Sequence, residues 1–326
     1  MELTVARQIF DLLRTAKKPV LVSDKRIDGD SMGSSLAVLE YLKGLGKETV
    51  VFVPSEVPEK YRFLPNAERC TFDRAVFNDP DIDLVVSFDC SEAAYVQDLM
   101  KLIPGRPALV NIDHHATNAR YGDVNLVVVG SPATAEVVHA FFKANGVVPS
   151  RDAATCLLAG LCFDTTIFTN GGTDERAFAA ASDLLLNGGR IQDVIRALFR
   201  NRSVDALRLW GAALERLEKH EPSGVLSTYL TRADLDGAGV SDDEADGLSD
   251  FLNLVTDAHT LVVLRETKDK GVKASMRSTR YDVAAVAKAN GGGGHVKAAG
   301  FSVVPAALPT PEEAKKFKRK ILERLA

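Results

Sequence analysis

Three apolar, β-prone runs in the first half of the chain each stop at a carboxylate: residues 19–24 (PVLVSD) at Asp24, 83–89 (DLVVSFD) at Asp89 and 108–113 (ALVNID) at Asp113. Runs this short, separated by longer stretches of helical periodicity, read as the buried strands of βαβ units, and such units build a parallel sheet. The strands of a parallel sheet all finish at one edge, which is where open α/β folds bind ligands. The third run leads straight into His114 and His115. Any one of these acids alone reads as a solvated strand end; three of them with a histidine pair favour a shared cation site.

The intervening segments fit the same plan. Residues 2–15 have the spacing of an amphipathic helix, with Val5, Ile9, Leu12 and Leu13 on one face. Beyond Asp24 comes Asp28-Gly29-Asp30-Ser31, where Gly29 allows a tight turn between two carboxylates and Ser31 is expected to cap a helix over 32–44. Further strands are expected at 49–53 and 125–129, a helix capped from Ser131-Pro132-Ala133-Thr134 and reaching about residue 143, and a helix at 174–188 closed by Gly188-Gly189. Segment 152–163, rich in Ala and Leu, reads as a buried helix that ends at Asp164. A carboxylate leaving a buried helix is costly unless it is paired or holds a cation, so Asp164 joins the candidate ligands; local hydrogen bonding at the helix end is the alternative.

A chain of 326 residues exceeds what one core ordinarily serves, and the pattern changes near residue 222. The expected division is a metal-binding α/β domain over 1–190, a helical connection over 191–220 and a smaller α+β domain over 221–326. Arg196, Arg200, Arg202 and Arg208 of the connection read as a solvated face. In the second domain, strands are expected at 225–230, 260–264, 272–276 and 301–304, with helices at 243–255, 283–289 and 311–325. Its distinctive stretch is Gly291-Gly292-Gly293-Gly294-His295, followed after Val296 by Lys297. Consecutive glycines expose backbone N–H groups that can wrap an anion. A flexible linker is the alternative, but one inside a domain, between a helix and a strand, is unexpected, so a phosphate or nucleotide contact is favoured.

The formal net charge of −4 argues against a broad electrostatic grip on long nucleic acid while leaving room for a small phosphorylated substrate. Cys70, Cys90, Cys156 and Cys162 show no CxxC spacing and sit among apolar neighbours, as reduced core residues of a cytoplasmic protein do. No secretory signal is expected, and no window approaches the roughly 18 apolar residues of a membrane span.

Taken together, Asp28-Gly29-Asp30, Asp89, Asp113-His114-His115 and Asp164-Thr165 resemble the DHH phosphoesterase superfamily, and the glycine run followed by Ala298-Ala299-Gly300 resembles its DHHA1 companion domain. The resemblance spans almost the whole chain, in the expected order. It is greatest to the compact nanoRNase/pAp-phosphatase branch, which implies hydrolysis of very short oligoribonucleotides, linear dinucleotides and 3′-phosphoadenosine 5′-phosphate. The superfamily's membrane-anchored phosphodiesterases, its RecJ exonucleases with added DNA-binding modules and its family II pyrophosphatases, which lack the glycine run, fit less well.

The same resemblance implies two divalent cations, Mn²⁺ in preference to Mg²⁺, held by Asp28, Asp30, Asp89, His114 and Asp164, with Asp89 bridging. His115 would meet the phosphate or leaving group, Asp113 would orient the histidines, and Arg277, Gly292, Gly293, Gly294 and His295 would bind substrate. Short oligonucleotides or nucleotide phosphates are the expected partners, with no membrane and with room for a homodimer. The chain departs from the family pattern at Asp24, where a histidine usually opens the first motif, and at Thr166, where glycine is frequent. Asp24 is expected either to serve as an oxygen ligand or to leave the first site weak. The second case motivates a degenerate nucleotide-binding protein as one alternative. A small-molecule phosphatase or polyphosphate-cleaving enzyme is the other.

Overall fold

The apolar runs form strands covered on both faces. The computed structural model describes residues 3–198, 202–221, 223–269 and 271–303. The chain divides into two units, Met1–Asn201 and Arg202–Ala326.

In the first unit, strands β1 (Pro19–Val22), β2 (Val50–Phe52), β3 (Cys70–Thr71), β4 (Leu84–Phe88), β5 (Ala108–Asp113) and β6 (Val124–Val127) form one sheet in the order β3-β2-β1-β4-β5-β6. Every neighbouring pair is parallel. The strand period of two divides each run between two apolar layers. Leu21, Val86 and Val110 face the layer built by helices α1 (Leu3–Thr15), α2 (Gly29–Gly44), α4 (Thr134–Ala144) and α5 (Arg151–Asp164), whereas Val20, Val22, Val85 and Leu109 face Val96 and Leu99 of α3 (Ala93–Met100). The order of strands reverses between β1 and β4, so their carboxyl ends flank the switch point where this class of sheet binds ligands.

Helices α6 (Glu175–Leu186) and α7 (Ile191–Leu198) complete this unit, and Val194 of α7 belongs to its core. The expected helical connection is therefore divided. Its first half packs on the first core; its second half, α8 (Val204–Glu215), packs Leu209, Trp210 and Ala213 into the second unit. Residues 218–220 are not helical but form strand β7 (Glu218–His220) against β8 (Val225–Leu230).

The second unit has α9 (Arg232–Ala238), α10 (Asp242–Ala245), α11 (Leu248–Val255), β9 (Thr260–Glu266), β10 (Val272–Ser278), α12 (Val283–Lys288), β11 (Gly293–His295) and β12 (Ala298–Val303). Its sheet runs β11-β12-β10-β9-β8-β7, with β8 and β9 parallel and the other pairs antiparallel. Strand β9 again splits by parity, Leu261 and Val263 to the α8 and α11 side, Val262 and Leu264 to the α12 side. The fold is thus α/β with a parallel N-terminal sheet and a separate mixed C-terminal sheet, as expected. The helix expected at 311–325 lies outside the described residues. Among those described, no helix is long and apolar enough to cross a membrane, and all four cysteines are free thiols.

Candidate metal centre

The site is assembled at the carboxyl ends of β1, β4 and β5. Helix α2 follows β1, and its N-cap is Asp28 rather than the expected Ser31: Asp28 Oδ1 accepts the Ser31 N–H at 2.9 Å, and Ser31 completes the capping box from the third position. Asp30, in the first turn, is fully buried. Its Oδ2 accepts the Thr134 N–H at 2.6 Å and its Oδ1 accepts the Ala135 N–H at 2.8 Å. These two donors open α4, whose own N-cap position, Ala133, offers no side-chain acceptor. The cap expected within 131–134 thus comes from Asp30, 104 residues away from Thr134, and a carboxylate there also meets the positive end of the helix dipole.

Two glycines let these helices close on one another. A Cβ on Gly33 would lie 2.3 Å from the Cys156 carbonyl oxygen; one on Gly160 would lie 2.8 Å from both Ala135 Cβ and Asp30 Oδ1. Helix α5 thereby reaches the site and delivers Asp164 at its C-terminus. Thr166, which follows, has φ +49°, as do Ile167 and Phe168 at +53° and +62°. The left-handed backbone at Thr166 explains why glycine suits that position.

Asp89 follows β4, also with a left-handed backbone (φ +60°), and its N–H donates to the Ile112 carbonyl of β5. Such a conformation in a non-glycine residue persists only where its surroundings hold it, and here it turns the carboxylate inward. Asp89 Oδ1 accepts the Thr134 hydroxyl at 2.8 Å. Beyond β5, His114 Nδ1 donates to the Ser131 carbonyl at 2.9 Å. Its Nε2 lies 3.2 Å from Asp164 Oδ2 and 3.6 Å from Asp89 Oδ1. With Nδ1–H committed to Ser131, Nε2 is the edge that faces the carboxylates: as an imidazolium His114 donates from it to Asp164, and on losing that proton it offers a lone pair to a cation among them.

Asp113 plays a different part. Its Oδ1 accepts the His115 ring Nδ1–H at 2.8 Å together with the backbone N–H groups of His114 and His115, and its Oδ2 accepts Asn118 Nδ2 at 2.5 Å. The carboxylate is engaged by its own loop, and it orients His115.

The electrostatics fit a cation. Burial and the charge of Asp164 push the Asp28 carboxyl up to about 6. Burial and neighbouring carboxylates raise Asp30 and Asp89 well above the usual range. Burial alone would depress His114, but the hydrogen bond to Asp164 and the charges of Asp164 and Asp30 carry it up to about 10. For Asp113, burial is outweighed by the hydrogen bonds from His115 and Asn118, which hold it below the usual carboxylate range. Like charges gathered out of water raise one another's proton affinity until a cation offsets them. Among the described residues, two donor groups converge within 4.8 Å: Asp30, His114 and Asp164, and Asp89, Asp113, His114 and His115. Oxygen donors with one or two imidazoles suit a divalent cation such as Mn²⁺ or Mg²⁺.

Neither group includes Asp24 or Asp28. Asp28 is a close neighbour whose charge acts on Asp89, and Asp164 acts on it in turn. Asp24 turns back on its own loop, where Oδ1 accepts the Arg26 N–H at 2.7 Å. The pairing of Lys25 is with Glu92.

In the second unit, Arg277 donates from Nε and Nη2 to Asp250 Oδ1 at 3.0 and 2.7 Å. The glycine run is not the open nest expected. The N–H groups of Gly291 and Gly292 close the end of α12 on Lys288 and Ala287, and Gly293, Gly294 and His295 form β11 against β12. A Cβ on Gly292 would fall 2.2 Å from the Gly300 oxygen, so close hairpin packing accounts for that glycine.

A family model of the DHH family N-terminal domain matches residues 18–161, and one of the DHHA1 domain matches residues 223–326. The bifunctional oligoribonuclease and PAP phosphatase NrnA of Thermus thermophilus is 31% identical over 303 residues, 91% of this chain and 88% of that protein. The chain belongs to the DHH family. The NrnA of Bacillus subtilis is 23% identical over 85% of this chain and 87% of its own. Two solved structures share the DHH–DHHA1 fold. An exopolyphosphatase-related protein from Bacteroides fragilis has a TM-score of 0.88 and 23% identity over 98% of this chain and 96% of that one. RecJ of Thermus thermophilus in complex with Mn²⁺ has 0.54 and 14%, over 98% of this chain and 54% of the other.

Two DHH-site residues escaped sequence reasoning. Thr134 was legible only as a helix cap, and nothing local indicates its bond to Asp89. Asn118, five residues past Asp113, carries no signal apart from its place in the loop.

Proposed function

We propose that this DHH protein is a metal-dependent phosphoesterase that cleaves very short oligoribonucleotides and removes phosphate from 3′-phosphoadenosine 5′-phosphate. The observation that carries the reading is that two donor groups at the sheet edge, one with Asp30 and Asp164 and one with Asp89, share His114, whose Nε2 faces Asp164 and Asp89. The names of its NrnA relatives support the substrate class. Two divalent cations held by Asp30, Asp89, His114 and Asp164, with Asp28 beside them, would neutralise phosphoryl charge and lower the pKa of an attacking water. Asp89 is our choice for the bridging position, because both histidine rings approach its Oδ1.

The chain's own residues do the rest. Asp113 fixes the His115 ring through Nδ1, which turns Nε2 away as the edge that meets the phosphate or the leaving 3′-oxygen. Thr134 and the first turn of α4 hold Asp89 and Asp30 in place. Arg277, Gly292, Gly293, Gly294 and His295 remain our proposed substrate contacts on the second unit, with Arg277 exchanging Asp250 for a phosphate. Asp24 is proposed to stay outside the ligand set, which is the case that motivates the degenerate nucleotide-binding alternative; absence of turnover with Mn²⁺ would favour that alternative. The test is turnover with Mn²⁺ on a panel of diribonucleotide, pApA, 3′-phosphoadenosine 5′-phosphate, a 24-mer RNA, pyrophosphate and single-stranded DNA. Fast cleavage of the first three and slow cleavage of the 24-mer is expected. Pyrophosphate as the best substrate, or no turnover of any, would overturn the reading.

A further inference from the structure

Tyr61 closes a short 3₁₀ turn, Glu59–Tyr61, and its side chain is fully buried at 1% exposure. The ring packs edge-on against Phe163, centroids 6.3 Å apart. Phe163 precedes Asp164, and its Cβ fills the space over Gly29, where an added Cβ would lie 2.7 Å away. Gly29 follows Asp28. Tyr61 is therefore wedged where the start of α2 and the end of α5 meet, between the elements that carry two of the site's carboxylates.

The Tyr61 hydroxyl is buried and has no hydrogen-bond partner among the described residues. Burial and the charges of Asp28 and Asp164 raise its pKa, so it stays an O–H donor. A buried donor with nothing to donate to is uncommon in a folded protein and calls for an acceptor, either an ordered water or a group brought from outside. The cations of the site cannot accept a hydrogen bond. Of the groups that enter there, an unesterified phosphoryl oxygen is the strongest acceptor.

We propose that Tyr61 is a substrate-binding residue whose hydroxyl donates to a phosphoryl oxygen at the carboxylate centre. The inference rests on the phosphoesterase reading above. It adds a recognition element from outside the acidic and histidine motifs, at a position where phenylalanine would pack equally well.

Tyr61→Phe removes one oxygen and keeps the ring. In the full chain with Mn²⁺, kcat/KM on pApA should fall about 10- to 100-fold, the usual worth of a hydrogen bond to a charged group. Inhibition by AMP should weaken with it. The melting temperature should hold or rise, since an unsatisfied buried hydroxyl is gone. Mn²⁺ affinity, measured by calorimetry without nucleotide, should stay within about twofold of wild type. Unchanged kinetics and AMP inhibition would overturn the proposal. So would a loss of Mn²⁺ affinity matching the loss of kcat/KM, because the hydroxyl would then serve a ligand carboxylate. If the wild type does not cleave pApA, the phosphoesterase reading fails by itself. Binding of inorganic phosphate to the Mn²⁺-loaded proteins then decides the role of Tyr61, equal affinities overturning it and weaker binding by the variant supporting it.

Discussion

Thr134 joins two carboxylates of the site: its backbone N–H donates to Asp30 at 2.6 Å and its hydroxyl donates to Asp89 at 2.8 Å. One residue at the first turn of α4 thus fixes an acid from the first turn of α2 and another from the end of β4. A hydrogen-bonded partner of this kind sets where a ligand oxygen points and how basic it is.

Thr134→Val keeps the shape and the backbone donor but deletes the hydroxyl. Mn²⁺ affinity or kcat/KM should fall about tenfold, equivalent to ~1.4 kcal/mol. Calorimetric titration and steady-state kinetics read this directly. Parameters equal to wild type would show that Asp89 is held without Thr134.

Asp89→Ala should lower kcat by at least a hundredfold (~2.7 kcal/mol), because an inward-turned carboxylate beside both histidines is lost. Asp24→Ala should keep kcat and Mn²⁺ dependence within about threefold, since Asp24 caps its own turn. Metal titrations of the two variants beside wild type make the comparison. Equal damage from both substitutions would put Asp24 back among the ligands.

Stability without metal should fall as pH rises. Asp28, Asp30 and Asp89 have folded-state pKa values above the unfolded 3.8, so above about pH 4 the folded protein holds protons that the unfolded chain releases. The His114 imidazolium acts in the same direction: raised from 6.5 to about 10, its contribution is complete below 6.5 and lost as pH climbs through about 10. In EDTA, the melting temperature should drop from about pH 5 to about pH 9. Mn²⁺ binding must release these protons, so the increment in melting temperature on adding Mn²⁺ should grow over the same range. An EDTA profile that rises with pH would contradict the charge arrangement described.

Gly160→Ala should destabilise the fold by about 1–3 kcal/mol, the usual range for overpacking. The added methyl would press on Ala135 and on Asp30 Oδ1, both 2.8 Å from the Cβ position. Denaturant unfolding should show the loss, and Mn²⁺ affinity should fall with it. A neutral Gly160→Ala would mean that α2, α4 and α5 pack less closely than described.

The elements of this protein were legible in its sequence because they follow from local pattern. Apolar runs such as VVSF and LVNI, short and β-prone, read as strands with both faces covered, and βαβ alternation makes the sheet parallel. That placed Asp89, Asp113 and His114 at one edge, the carboxylate leaving a buried helix added Asp164, and family motifs added Asp28 and Asp30. What the pattern could not convey was the use made of each acid. Asp24 and Asp30 are alike in sequence, six residues apart on the same loop and helix start, yet Asp24 caps its own turn while Asp30 caps a helix 104 residues downstream. Ser31 and the segment 131–134 carried cap signals whose roles fell to Asp28 and Asp30, because a cap needs only an acceptor at the right place and tertiary packing supplied a better one. The glycine run read as an anion nest became a hairpin closed against Gly300 and Phe301. Which carboxylates converge depends on the β3-β2-β1-β4-β5-β6 order and on how closely α2, α4 and α5 approach through Gly33 and Gly160. Those are contacts between residues far apart in the chain, and periodicities of 2 and 3.6 carry no information about them.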